Sequence, residues 1–236
     1  MKKYVFLLLL VLLITACTTE QKPRIVYDEN GKPEALAKDT SAILMADLPI
    51  LIDSTDMLVH PIGALQFYES RGKILGSYSG KGSPNFSISN YGNYTFSGHL
   101  KNLKFEQLGS NQLVALTDKN IRINTARFLY DLYKKTGAKL FIYQIIDTDS
   151  NKDGRLDNND IEAIYLSKID GSNFIKLTAT NHELIDWNII DTLNRLYYRT
   201  IEDTNKDGLF DKNDQVHYYY VNLIDPTLTP ISYSPI

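Results

Sequence analysis

The sequence predicts an all-β fold built from repeated antiparallel sheets, with one short helix. From Ser41 onward, short apolar runs alternate with clusters of Gly, Asn, Asp and Ser, which is typical of strands joined by turns. The chain has 16 Tyr, most of them among Ile, Leu and Val, and this composition favours strands. An acidic twelve-residue segment also occurs twice, 54 residues apart, with apolar runs on both sides of each copy. These features together indicate an internal β repeat.

Composition excludes several classes of function. The chain is 43% apolar and 22% charged with a net charge of −3, and it has no basic patch with interleaved aromatic residues, so no nucleic-acid partner is expected. Its single Cys excludes a disulfide within the chain and a Cys-based metal site. No G-x-S-x-G, P-loop or Cys nucleophile is present, so no catalytic residue is assigned. The four His residues show no metal-ligand spacing and are expected to be structural or exposed.

The first 16 residues are predicted to be a signal peptide. Lys2 and Lys3 precede the apolar run Tyr4–Ile14, which is short for a membrane-spanning helix. The run ends in Ile-Thr-Ala-Cys, and small residues before a Cys resemble the lipobox of bacterial lipoproteins. This resemblance implies cleavage before Cys17, a diacylglycerol on its sulfur and an acylated amine. Because Thr18 rather than Asp follows, the analogy favours the outer membrane.

The remaining chain divides into three regions. Residues 17–40 are polar and contain Pro and Gly, so they are expected to form a flexible tether. Residues 41–100 are an N-terminal β region in which the first repeat unit begins, and residues 101–236 hold the clearer repeats. The predicted strands are Met57–Ile62, Lys73–Tyr78, Leu100–Leu108, Gln112–Thr117, Lys139–Ile146, Glu162–Ile169, Phe174–Thr178, Glu183–Ile190, Arg195–Ile201, Val216–Leu223 and Thr227–Tyr233.

Two segments depart from the strand pattern. Gly80–Gly98 is rich in Ser, Asn and Gly, which predicts a long loop or an irregular hairpin. Thr125–Lys135 is predicted to be the one helix, because Leu129 and Leu132 follow helical spacing and Gly137 is suited to end it. A tyrosine-rich strand is the competing interpretation of this segment.

Both acidic segments read D-x-N-x-D-G-x-(apolar)-D-x-x-D, which predicts calcium binding. Calcium takes six to eight oxygen ligands, and the segments carry oxygen-bearing side chains at positions 1, 3, 5, 9 and 12. Gly at position 6 permits a sharp turn. Position 7 would contribute its backbone carbonyl. The predicted ligands are Asp149, Asn151, Asp153, Arg155, Asp157 and Asp160 in the first loop, and Asp203, Asn205, Asp207, Leu209, Asp211 and Asp214 in the second.

The two loops resemble EF-hand loops, and more closely those of dockerins. Apolar β-type runs follow them here, Ile164-Tyr165-Leu166 after the first loop and Tyr218-Tyr219-Tyr220 after the second, whereas a dockerin has helices. Four carboxylates in each loop repel one another without a cation, so a bound ion should order the loop. We therefore expect two structural Ca²⁺ sites rather than a calcium sensor.

A second resemblance concerns the repeat itself. Residues 163–172, Ala-Ile-Tyr-Leu-Ser-Lys-Ile-Asp-Gly-Ser, followed by Leu177-Thr178 and Trp187, resemble the repeat of TolB-type, WD40-like β-propellers. Gly109-Ser110-Asn111 and Leu116-Thr117 repeat part of this pattern upstream. The resemblance implies a propeller-like stack of about three four-stranded antiparallel sheets, with each calcium loop between the second and third strands of a unit. Because closed propellers usually have at least four blades, the sheets either form an open stack or close through another chain.

These features predict a non-enzymatic calcium-binding lipoprotein of the cell envelope, in which calcium stabilises a β-repeat interaction scaffold. Its expected partners are the membrane, through lipidated Cys17, and an envelope protein or glycan. The alternative is a glycan- or protein-binding module of an envelope complex in which calcium is incidental. An enzyme is the third option, since propellers also host hydrolases.

Overall fold

The structure, a computed structural model, describes residues 22–27, 42–66, 86–89 and 94–236. The strands of this part of the chain are β1 (Ala42–Ala46), β2 (Ile50–Leu51), β3 (Met57–Gln66), β4 (Phe86–Ser89), β5 (Thr95–Gln107), β6 (Val114–Ala115), β7 (Arg122–Phe128), β8 (Leu140–Ile146), β9 (Ala163–Lys168), β10 (Ile175–Lys176), β11 (His182–Ile190), β12 (Arg195–Glu202), β13 (Gln215–Asn222) and β14 (Ile231–Ser232). Helix α1 spans Tyr130–Thr136, and Asp191–Leu193 form one 3-10 turn. The predicted all-β class with one short helix is confirmed.

These strands form a ten-stranded and a four-stranded antiparallel sheet, in which three units of four strands can be recognised. The units run β1-β3-β5-β6, β7-β8-β9-β10 and β11-β12-β13-β14 in spatial order. The sequence predicts about three sheets, whereas the first two units here are continuous. The reason is the length of β5, whose 13 residues pair with β6 at Lys104 and Phe105 and with β7 between Thr95 and Leu100.

Two apolar cores lie on opposite faces of β8. Phe141, Tyr143 and Ile145 belong to the first core, which also includes one face of β3, β5 and β7. Leu140 and Ile142 belong to the second core, which lies against β11, β12 and β13 of the four-stranded sheet. Successive side chains of a strand point to opposite faces. The two cores therefore explain why β8 reads as an almost uninterrupted apolar run and why the sheets stack.

The predicted helix begins too early in the sequence. Residues 125–128 are strand instead, because they pair with β8 and the side chain of Phe128 is fully buried. The helix begins at Tyr130 and ends as predicted, since Gly137 has φ = 80° and its N–H donates to Tyr133 O at 2.8 Å. Cross-strand pairing and burial therefore override the local helical spacing at the start of the segment.

The predicted loop at Gly80–Gly98 contains strand residues. Its described residues 86–89 form β4, which pairs with the first half of β5 from Phe86↔Gly98 to Ser89↔Thr95. The signal peptide, Cys17 and the predicted strand Lys73–Tyr78 lie outside the described residues. Within the described ranges, no helix is long and apolar enough to span a bilayer.

Candidate metal centres

Each acidic loop connects the two central strands of a unit. The first, Asp149–Asp160, lies between β8 and β9, and the second, Asp203–Asp214, lies between β12 and β13. The flanking strands pair in register up to the loops, from Leu140↔Lys168 to Ile145↔Ala163 and from Arg195↔Asn222 to Glu202↔Gln215. The hairpins therefore fix both ends of each loop.

The two loops have the same backbone conformation. Position 4 is left-handed in both, with φ of 57° at Lys152 and 59° at Lys206. Position 6 is also left-handed, with φ of 80° at Gly154 and 84° at Gly208. Only Gly adopts the second conformation without a Cβ penalty, which accounts for the residue type at that position.

The same hydrogen bonds close both loops. The position 1 carboxylate accepts from the N–H of position 6, at 2.8 Å in the first loop and 2.7 Å in the second. The position 12 carboxylate accepts from the N–H groups of positions 2 and 9, at distances between 2.7 and 3.0 Å. Side chains at positions 3, 5 and 9 each accept from the N–H two residues later, at 2.7–3.0 Å. The predicted side-chain ligands thus also hold the backbone of their own loop.

Position 12 of the first loop is the most buried carboxylate in either loop. Asp160 has no exposed surface, and burial raises its pKa while hydrogen bonds from backbone N–H groups oppose that rise. Arg122 reaches this loop from β7 and donates to Asn158 Oδ1 at 2.9 Å. The guanidinium supplies positive charge beside Asp157 and Asp160.

Asp203, at position 1 of the second loop, has an oxygen that fits a cation. Its side chain is 4% exposed, Oδ2 accepts from Gly208 N, and Oδ1 accepts no hydrogen bond of ordinary geometry within the described residues. Leaving a buried carboxylate oxygen unpaired is costly, and a hard cation would satisfy it. Tyr27 lies beside this carboxylate, and burial, the charge of Asp203 and hydrogen bonding between the two side chains raise the Tyr27 pKa to about 12. This one oxygen of the second loop is therefore available to a cation.

Residues 22–27 lie against both loops, although they fall within the predicted tether. The N–H groups of Arg24 and Ile25 donate to Gly208 O at 2.7 and 3.2 Å. Val26 N donates to Ser150 O at 2.8 Å, and Ser150 Oγ donates to Arg24 O at 2.6 Å. Ile25 is only 5% exposed. This short segment therefore bridges the first loop to the second, and we call it the N-terminal strap.

An ion pair fixes the strap to the four-stranded sheet. Arg24 Nη2 lies 2.9 Å from Glu183 Oε1 and also donates to the backbone oxygen of Asp160. Glu183 Oε2 accepts from the N–H of Glu162 at 2.6 Å. Burial raises the Glu183 pKa to about 7, and Arg24 opposes the rise. The strap and both loops thus meet the start of β11 and the residue that precedes β9.

Replacing Gly208 with Ala should detach the strap. A Cβ at this position would overlap the carbonyl oxygen of Ile25 and lie 2.8 Å from Pro23 Cβ. Gly137 is the matched control, because it has φ = 80° and its Cβ would meet nothing within 4 Å. Gly137→Ala should cost about 1 kcal/mol through backbone strain alone. Gly208→Ala should cost about 2–4 kcal/mol because steric overlap is added.

Trypsin should also cleave after Arg24 faster in Gly208→Ala. Equal cleavage rates in the two variants would contradict the placement of the strap.

A third group of potential ligands was not predicted from the sequence. His182, Glu202 and His217 each offer one ligand atom, and these atoms lie within 4.8 Å of one another. It is the one group of three or more His, Cys, Asp or Glu with this geometry among the described residues, so the carboxylates of neither acidic loop are gathered this closely. Sequence spacing could not indicate it, because sheet register places His182 opposite Glu202 and His217 opposite Thr200.

No protein-family model matches this chain, and no curated protein matches it either. Function is therefore argued from the sites and their chemistry.

Proposed function

We propose that this protein is a non-enzymatic calcium-binding lipoprotein of the bacterial cell envelope, in which two calcium ions stabilise a β scaffold. The buried Oδ1 of Asp203, which accepts no hydrogen bond of ordinary geometry within the described residues, is the observation that carries the proposal. It lies at the first ligand position of a loop whose conformation is repeated at Asp149–Asp160. The lipobox-like sequence ending at Cys17 supports the membrane anchor and the envelope location, with the outer membrane favoured.

In this proposal, the side chains at positions 1, 3, 5, 9 and 12 of each loop and the carbonyl at position 7 hold the ion. The bound ion supplies positive charge that offsets the repulsion among four carboxylates. The chain's own residues position the loops. The hairpin strands hold the ends of each loop, and the strap hydrogen-bonds to both loops. Ordering the loops would consequently order the attachment of the N-terminal segment.

A structural role is preferred to a sensor role. EF-hand sensors respond to calcium through a pair of helices that opens and exposes an apolar groove. Paired strands flank both loops here, and their ladders continue into the two sheets. A rigid hairpin has no comparable open state, so the ion's free energy of binding becomes free energy of folding.

The alternative, a glycan- or protein-binding module with incidental calcium, is favoured by one surface. Tyr197, Tyr218, Tyr220 and Tyr233 cluster on the outer face of the four-stranded sheet, with ring centroids 5.7–6.1 Å apart. The guanidinium of Arg195 lies 4.4 Å from the centroid of the Tyr220 ring. Aromatic rings with nearby polar groups are common in binding surfaces.

Calorimetry of the lipidated full chain tests the proposal. With free calcium at 100 times the dissociation constant, each site adds about 2.7 kcal/mol of stability. Since 1 kcal/mol shifts Tm by about 2–4 °C in a chain of this size, two sites should raise Tm by roughly 10–20 °C over chelator. Isothermal titration should show an uptake near two ions per chain. Unchanged melting in calcium and chelator would refute the proposal, whereas glycan binding that persists in chelator would favour the alternative.

A further inference from the structure

Three adjacent strands bring two imidazoles and a carboxylate together near the second acidic loop. His182 is the first residue of β11, Glu202 the last of β12, and His217 lies near the start of β13. His217 Nε2 lies 2.8 Å from Glu202 Oε2, and His182 Nε2 lies 3.9 Å from the same oxygen. The two imidazole rings are 4.9 Å apart between centroids. All three ligand atoms therefore face one small volume.

These distances suit a tetrahedral metal ion. Bonds of about 2.0–2.1 Å from Zn²⁺ to nitrogen and oxygen place neighbouring ligand atoms roughly 3.3 Å apart. The two measured separations lie on either side of that value, so small side-chain rotations would equalise them. The side chains of His182 and His217 are 11% and 23% exposed, while Glu202 is 44% exposed. The imidazoles are thus held by packing, and the carboxylate side is open to an entering ion.

A further contact orients one imidazole. His182 Nδ1 lies 3.1 Å from Thr200 Oγ1, and Thr200 is fully buried. When Nδ1–H donates to this hydroxyl, the lone pair of Nε2 points away from Thr200 and is free to ligate. Metal-binding imidazoles commonly have such a partner on their second nitrogen.

We propose that His182, Glu202 and His217 form a site for a divalent transition-metal ion, with Zn²⁺ as the best-fitting member of that class. Imidazole nitrogen suits zinc, copper or nickel, whereas calcium takes oxygen ligands, so this site differs in chemistry from the two acidic loops. Three protein ligands leave a fourth position for water or for a group from a bound partner. The site does not depend on the calcium proposal, although Glu202 and Asp203 are adjacent in the chain.

Zinc titration of the full chain in saturating calcium tests the proposal. The wild-type protein should bind one Zn²⁺, and X-ray absorption at the zinc edge should show two imidazole ligands. His182→Gln and His217→Gln should each weaken zinc binding by more than the 10–100-fold typical of losing an outer partner. Thr200→Val, which keeps the side-chain shape, should weaken it by about 10–100-fold.

His60→Gln is the matched control. His60 Nε2 also pairs with a glutamate, Glu106 Oε2, at 2.9 Å, but no second His joins that pair within the described residues. Zinc binding should be unchanged in this variant. Circular dichroism checks that each variant folds, and Glu202→Gln replaces any His variant that does not, with the same loss expected. No zinc uptake by the folded wild type, or uptake undiminished in the folded ligand variants, would overturn the proposal.

Discussion

Asp203→Asn should destabilise the protein in calcium and leave its stability unchanged or higher in chelator. The side chain stays the same size, and its amide oxygen can still accept from Gly208 N. The amide nitrogen would replace Oδ1, the buried oxygen that accepts no hydrogen bond of ordinary geometry within the described residues, and nitrogen donors do not ligate calcium. In calcium the variant should lose one ion and about 2.7 kcal/mol at 100 times the wild-type dissociation constant. In chelator it removes one negative charge from a crowded loop.

Two further variants show which effects belong to the ion. Asp149→Asn removes the equivalent ligand of the first loop, where both carboxylate oxygens already accept hydrogen bonds, at 3.1 and 2.8 Å. Asp149→Asn should also bind one calcium ion fewer than the wild type, but its stability in chelator should not increase. Asp225→Asn changes an exposed Asp that accepts from Thr227 N at 2.9 Å outside either loop, so calcium should stabilise it as it does the wild type. Urea unfolding with calcium and with chelator measures all three variants. If the cost of Asp203→Asn is the same in both conditions, the loop does not bind calcium.

Gly171→Ala should destabilise the protein about as much as Gly208→Ala does. Gly171 has φ = 81°, and a Cβ there would lie 2.6 and 2.7 Å from two ring atoms of Phe105. Phe105 is 1% exposed and packs against Phe141 with ring centroids 5.9 Å apart, so the ring has little room to move. Backbone strain of about 1 kcal/mol and overpacking of about 1–3 kcal/mol should add, giving about 2–4 kcal/mol.

Gly109→Ala is its control at the equivalent turn of the first unit. Gly109 has φ = 84° and its Cβ would meet nothing within 4 Å, so only the backbone term of about 1 kcal/mol applies. The two turns share their conformation, since Asn111 and Asn173 have φ of 53° and 52°. Thermal unfolding should therefore give a Tm lower by several degrees in Gly171→Ala than in Gly109→Ala. Equal melting temperatures would show that Phe105 yields to the added methyl group.

Most of the local structure follows from the pattern of residues. Alternating apolar runs and turn residues correctly predict the all-β class, and the predicted strands at β3, β8, β9, β11, β12 and β13 agree with the structure within a few residues. The repeated Gly-Ser-Asn motif predicts turns because its residue types are also a local feature of the sequence. The turns at Gly109 and Gly171 need left-handed backbone at their Gly and Asn, and a sequence shows such residues directly.

Non-local pairing could not be predicted in the same way. The helical spacing near Leu129 is real, but residues 125–128 pair with β8 and are strand. The division into sheets depends on the length of β5. The second half of this strand pairs with β6 of its own unit, and its first half pairs with β7 of the next unit. Strand register depends on partners distant in the chain, so a local pattern does not specify it.

The acidic loops at Asp149 and Asp203 are the feature that the sequence determined by itself. Their residue types, their spacing and the Gly at position 6 are local, and these predict a calcium-type loop before any contact is known. Only the tertiary structure decided what surrounds them. It places the strap across both loops, buries Asp203 Oδ1 without a hydrogen bond of ordinary geometry within the described residues, and joins His182, Glu202 and His217 across three strands. The physical reason is that burial and cross-strand proximity arise from packing between segments far apart in the chain, which no local spacing encodes.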